Sequence, residues 1–268
     1  MLYNAYSGSL EFEDSSMEYV RFGNGAKNLV MLPGLGDGLR SVKGTALPMA
    51  FMYREFSKDY TVYMFSRKKV LCKGSTIRDM ALHQKQAMDK LGIENADIIG
   101  VSMGGMIAQH LTIEYPEKVN KLVLVVTCSK AEESLKSSVS YWIDCARTNN
   151  YKELMDSNLK LIYSEKYYKH NKWTLPLICL LTKPRSFDRF LVQAEACTMH
   201  DSYLELKNIK APSFVIGGEK DQVLSPDESR VLAENIPNAK LYMYPQWGHG
   251  LYEEAPDFKN RILGFLTD

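Results

Sequence analysis

Between Ala96 and Tyr115 the chain passes from a short apolar run into helical spacing through Gly100-Val-Ser102-Met-Gly104-Gly105. No other feature restricts the fold as much. A residue on a sharp strand-to-helix turn is forced into strained backbone angles, and side chains two positions away on either side would collide there. Gly100 and Gly104 remove those collisions and leave the Ser102 hydroxyl raised above a strand end. The pattern matches G-x-S-x-G in the strand–turn–helix context that motif requires. A helix beginning at Met103 also aims its positive end at the hydroxyl. A close-packed glycine turn or a nucleotide loop would look similar, but no P-loop lysine and no G-x-G-x-x-G pattern is present.

The surrounding sequence supplies a sheet for such a turn. Asn28–Leu32, Tyr60–Phe65, Ala96–Val101, Val119–Val126, Ser213–Ile216 and Lys240–Tyr244 are apolar runs of strand length. Their hydrophobicity is continuous rather than alternating, which predicts strands buried on both faces. Helical spacing fills the intervals at Thr76–Leu91, Met103–Tyr115, from Ser225-Pro226 to Glu234, and from Ala255-Pro256 to Leu266. This alternation predicts an α/β fold with a mostly parallel, doubly wound sheet.

One segment breaks the rhythm. Ser129 to Asn208 has helical spacing, no convincing strand and ten Tyr, Trp or Phe residues, nine of them in its helical part and Tyr203 just beyond it. The expected organisation is a core of residues 1–128 and 209–268 with a helical cap at 129–208, inserted after the strand ending near Val126. Trp142, Trp173 and Phe187 are the cap residues expected to touch substrate.

Composition narrows the class. With 268 residues, 45% hydrophobic and 24% charged, the chain is neither collagen-like nor disordered. Its 33 Lys and Arg nearly cancel 32 Asp and Glu, so the chain as a whole gives no electrostatic footprint for nucleic acid or an anionic membrane. Met1–Ser16 holds three acids and no base, which predicts no secretory leader. Ile98–Ile113 is too short and too polar to span a bilayer. Five widely spaced cysteines without a CxxC pair predict a reduced, cytoplasmic setting.

Serine is a poor nucleophile at neutral pH unless a base stands within hydrogen-bond reach. Of the five histidines, His83 and His110 fall inside helical spacing and His170 in a Lys-rich stretch. His200 could line a pocket. His249, in Gln246-Trp-Gly-His-Gly250 after the last strand, emerges at the same sheet edge as Ser102 and is the expected base. The acid that holds its tautomer is expected at Asp221, in Gly217-Gly-Glu-Lys-Asp221 after the preceding strand, with Glu219 and then Glu132 as fallbacks. Pro33-Gly-Leu-Gly-Asp-Gly38 can present a backbone N–H to a tetrahedral oxyanion, with Leu35 as one donor and Met103 as the other.

With these motifs in their usual order, the chain resembles the α/β-hydrolase fold family, in its capped branch of serine esterases, lactonases and carbon–carbon hydrolases. The resemblance spans nearly the whole chain and implies Ser102 as nucleophile, His249 as base, Asp221 as acid and the Leu35 and Met103 amides as oxyanion hole. Two departures stand out. Many members have histidine where Pro33 stands, and many have an aspartate-arginine-glycine turn where Phe65-Ser-Arg67-Lys-Lys occurs; both are expected to affect the pocket rim. Serine at position 102 argues against dehalogenases and epoxide hydrolases of this fold, and Met103 argues against proline iminopeptidases. The expected activity is hydrolysis of a small, fairly apolar carboxylic ester through an acyl-enzyme, with no cofactor and no nucleic-acid or membrane partner. A thioesterase, lactonase or carbon–carbon hydrolase would use the same triad. A non-catalytic ligand receptor on the scaffold is the rival from another class, and it has no physical need of all three triad members.

Overall fold

The structure is a computed structural model and describes residues 2–268. Eight strands form a single sheet: β1 Tyr6–Glu11, β2 Ser16–Phe22, β3 Lys27–Leu32, β4 Tyr60–Lys68, β5 Ala96–Val101, β6 Val119–Val125, β7 Ser213–Gly218 and β8 Lys240–Tyr244. Their order is β1-β2-β4-β3-β5-β6-β7-β8. From β4 to β8 neighbours run parallel, while β1 and β2 join as antiparallel strands at one edge. The helices are α1 Ala46–Met52, α2 Ile77–Lys90, α3 Met103–Glu114, α4 Glu133–Arg147, α5 Tyr151–Ile162, α6 Glu165–Asn171, α7 Leu175–Thr182, α8 Asp188–Thr198, α9 Asp227–Asn235, α10 Leu251–Glu254 and α11 Phe258–Thr267. This is the α/β-hydrolase fold, and α4–α8 all lie between β6 and β7.

Both faces of the sheet are covered, which is why its strands read as unbroken apolar runs. Successive residues alternate between two cores: Val30 and Leu32 of β3 join one, Leu29 and Met31 the other. Leu122 and Leu124 of β6 face the first, Val123 and Val125 the second.

The six expected strands are present, and β1 and β2 were not foreseen. Glu18 and Arg21 interrupt the apolar run of β2, and β1 is mostly exposed, so neither strand carries a buried-strand signature. α2 keeps its expected span and begins with a capping box, Thr76 accepting from the Asp79 amide and Asp79 from the Thr76 amide.

Topology places the site. β3 sits between β4 and β5, so the loop after β3 and the turn after β5 leave the sheet in opposite directions, opening a crevice at the strand ends. The register pairs Leu32 with Gly100, which sets Pro33–Leu35 beside Ser102.

Candidate active site

Ser102 has φ 52 and ψ −121, the strained conformation expected of a side chain lifted off a strand end. The glycines around it are sterically required. A Cβ on Gly100 would stand 2.5 Å from the Gly104 carbonyl oxygen, and one on Gly104 would run into the Leu32 carbonyl. A Cβ on Gly105 would meet the Thr127 side chain at 2.6 Å. The turn is pinned on its other side, where the Ser102 amide donates to Val125 O at 2.9 Å and the Thr127 hydroxyl donates to Ser102 O at 2.8 Å.

Asp221 and His249 come from loops after β7 and β8, and those loops interlock backbone to backbone. A Cβ on Gly248 would lie 2.7 Å from Lys220 O, and one on Gly218 would strike the Trp247 carbonyl. The result is a continuous chain of contacts. Nε2 of His249 is 3.0 Å from Ser102 Oγ, and Nδ1 is 2.8 Å from Asp221 Oδ2. The other carboxylate oxygen of Asp221 accepts from the amides of Val223 (2.8 Å) and Leu224 (3.0 Å), which fixes its orientation. His249 is buried. Such an arrangement can take the serine proton, stabilise the imidazolium and return the proton to a leaving group.

Leu35 and Met103 each occupy the first position of a helical turn, Leu35–Gly38 and α3, where the N–H has no partner inside the helix. Both residues line the cavity above Ser102, and a Cβ on Gly34 would stand 3.5 Å from the Ser102 Cβ. Two amides at the starts of helical turns therefore belong to residues lining the cavity with Ser102, the kind of donor a tetrahedral oxyanion could use.

The cavity holds about 630 Å³ and is mainly apolar. Ser102 and His249 lie in its lining, and α4, α5 and α7 supply its wall through Leu135, Val139, Trp142, Met155, Leu159 and Ile178. The single cation in the lining is Arg40, against the carboxylates of Asp37 and Glu253.

A family profile described as serine aminopeptidase, S33, matches residues 73–256, more than half of the chain. The chain belongs to this α/β-hydrolase family. A 2-hydroxy-6-oxononadienedioate/2-hydroxy-6-oxononatrienedioate hydrolase of Paraburkholderia phymatum is 27% identical over 98% of this chain and 94% of its own. A 2-hydroxy-6-oxo-6-phenylhexa-2,4-dienoate hydrolase of Comamonas testosteroni is 27% identical over 68% of this chain and 66% of its own. Among solved structures, the α/β hydrolase MGS-M2 from a Medee basin deep-sea metagenome library superposes with TM-score 0.87 at 26% identity, covering 97% of this chain and 98% of that one. The enol-lactonase of Burkholderia xenovorans LB400 superposes with TM-score 0.83 at 21% identity, covering 97% and 100%.

In this hydrolase the other candidates for acid and base lie elsewhere. Glu219 pairs with Arg230 at 2.5 Å, and Glu132 precedes α4 without a cap hydrogen bond. His200 is buried edge-to-face against His110, ring centroids 5.4 Å apart, outside the cavity lining. Burial pushes His200 down to about 3 and His110 to about 4. Cys197 lines the cavity, but burial pushes its thiol up to about 12 and leaves it without nucleophilic thiolate.

The three cap aromatics part company. Trp142 lines the cavity, its indole N–H donating to Ser157 Oγ at 3.2 Å. Trp173 does not: it is 76% exposed, and its neighbour Thr174 on the same helical turn lines the cavity instead. Phe187 does not line the cavity either; it packs against the core, its ring centroid 6.0 Å from that of Tyr151, which does line it. The aromatic lining from these helices is instead Trp142, Tyr151, Tyr163 and Tyr167, the last two stacked with centroids 4.3 Å apart.

A second correction concerns Arg67, expected near the pocket rim. It is fully buried beneath the loop that carries Leu35, where it donates to the Pro33 carbonyl at 2.5 Å. Its amide donates to Asp37 Oδ2 at 3.0 Å, and Arg189 of α8 donates to the same carboxylate. Burial pulls the Arg67 guanidinium below its ordinary range, with the Asp37 carboxylate opposing the shift. No motif announces this cluster; the one legible hint was an arginine inside an otherwise apolar strand.

Proposed function

We propose that this hydrolase cleaves small, fairly apolar carboxylic esters through an acyl-enzyme on Ser102. The observation that carries the reading is the unbroken Ser102–His249–Asp221 hydrogen-bond chain opening into an apolar cavity. His249 withdraws the hydroxyl proton as Ser102 attacks the ester carbonyl. The Leu35 and Met103 amides meet the oxyanion, an interaction worth roughly 3–4 kcal/mol per donor in such sites. The imidazolium then protonates the departing alcohol, and the same histidine activates water to release the acid. The helices α4–α8 act as the cap, shielding the acyl-enzyme from bulk water.

The family relatives favour a second reading, hydrolysis of a carbon–carbon bond in a 2-hydroxy-6-oxo-dienoate. The two relatives described above carry that activity in their names, at 27% identity, and five further curated relatives have names of the same kind. The mainly apolar lining supports the ester: a dioate has two carboxylates that need cationic partners, and Arg40 is the one arginine or lysine in the lining, while the phenyl dienoate, with a single carboxylate, is distinguished by assay. A panel of p-nitrophenyl acetate, butyrate and hexanoate, a δ-lactone and 2-hydroxy-6-oxo-6-phenylhexa-2,4-dienoate separates the two. The ester reading expects kcat/KM to be highest for an ester; a dienoate turned over faster than every ester would replace it.

A further inference from the structure

α7 is an unusual helix for its position. Leu175-Pro-Leu-Ile-Cys-Leu-Leu-Thr182 carries no charge on any side, a pattern normally found in buried helices. Here only Leu175 is buried. Leu177 is 60% exposed, Leu180 79% and Leu181 73%, and Trp173 lies just ahead at 76%. The inner side of the same helix walls the cavity through Leu175, Ile178 and Thr182. An exposed apolar patch of this kind marks a surface that another phase or molecule covers.

The flanks of the helix identify which. From Ser164 to Arg185 there are five Lys or Arg against one acid, Glu165, leaving +4 where the whole chain carries +1. Lys166, Lys169 and Lys172 precede α7, Lys183 and Arg185 follow it, and all five are exposed. The near-neutral total conceals this local asymmetry. Two copies of the chain meeting face to face on this patch would bring like charges together. An anionic lipid surface instead accepts the cations at its headgroups, a tryptophan at the interface and leucines just below it. Eight residues are too few to cross a bilayer, and no helix among the described residues is long and apolar enough to do so.

We propose that α7, with its cationic flanks, docks the protein on anionic lipid surfaces. The docked helix then stands between lipid and cavity, giving membrane-dissolved substrates a short path to Ser102. The docking residues Leu177, Leu180 and Leu181 lie outside the cavity lining, so docking stands independently of the reaction proposed above.

Co-sedimentation of the full chain with phosphatidylcholine vesicles, and with vesicles containing phosphatidylglycerol, tests the proposal. Binding is expected to the anionic vesicles, at least ~10-fold weaker to neutral ones, and weakened by salt. The triple variant Leu177→Ser, Leu180→Ser, Leu181→Ser should lose roughly tenfold or more of that binding. Its melting temperature and its turnover of a short, soluble ester should stay unchanged. The proposal is overturned if the native chain ignores anionic vesicles or binds both kinds equally, or if the triple variant binds like the native chain. Sedimentation velocity supplies a further contradiction: a dimer abolished by the triple variant would assign the face to a second copy.

Discussion

Arg189 donates to both the main-chain carbonyl and the carboxylate of Asp37, joining α8 to the loop that faces Ser102. The same guanidinium donates to the carbonyls of Arg67 and Lys68 at 3.1 Å, so one inserted helix is fastened to the end of β4 and to the Pro33–Gly38 loop together. Asp37 is the only acid in this cluster of two buried or half-buried arginines.

Asp37→Asn should therefore leave two guanidiniums without a compensating charge. Removing one partner of a buried ion pair typically costs about 3–5 kcal/mol. Urea denaturation should show a loss of that order together with reduced kcat, because the Pro33–Gly38 loop loses its anchor. A loss below about 1 kcal/mol would mean that the cluster does not hold the loop.

The cavity lining separates the tryptophans. Trp142→Leu should enlarge the acyl space and raise activity on hexanoate relative to butyrate esters, at a cost of about 1–3 kcal/mol in stability. Trp173→Ala, at an exposed position, should leave that ratio unaltered and change stability by about 0.5 kcal/mol or less. Equal effects of the two changes on acyl preference would contradict the assigned lining.

Glu228 provides a pH test. Burial, with the nearby Glu132 and Asp227 adding to it, pushes its carboxyl up to about 7 from 4.5. Between those values the folded chain keeps a proton that the unfolded chain has released, so stability falls as pH rises through the window. Glu228→Gln should match the native protein near pH 4 and exceed it at pH 8 by about 1–2 kcal/mol. A difference independent of pH would show that Glu228 titrates normally.

The juxtaposition of Ser102, His249 and Asp221 was legible because sterics demand small residues at a strained turn and because parallel strands present their loops at one edge. Ser102, Asp221 and His249 lie in glycine-marked loops at strand ends, where local sequence and topology agree. β1 and β2 were not legible, since β1 is mostly exposed and β2, though buried, has its apolar run interrupted by Glu18 and Arg21. The Arg67–Asp37–Arg189 cluster joins residues 30 to 152 positions apart, and nothing in local spacing encodes such a contact. Trp173 and Phe187 failed for a related reason: an amphipathic segment reveals that it has two sides, but not which of them closes over the serine.

The acyl-enzyme on Ser102 is open to one direct measurement. The native protein, Ser102→Ala and Asp221→Asn are each incubated with a fluorophosphonate probe and examined by intact-mass and peptide mass spectrometry, with circular dichroism to verify folding. One adduct is expected, on Ser102, absent from folded Ser102→Ala and formed at least ~10²-fold more slowly in Asp221→Asn, where the amide cannot stabilise the imidazolium. No adduct on the native protein, or labelling of folded Ser102→Ala at the native rate, would contradict a nucleophilic Ser102.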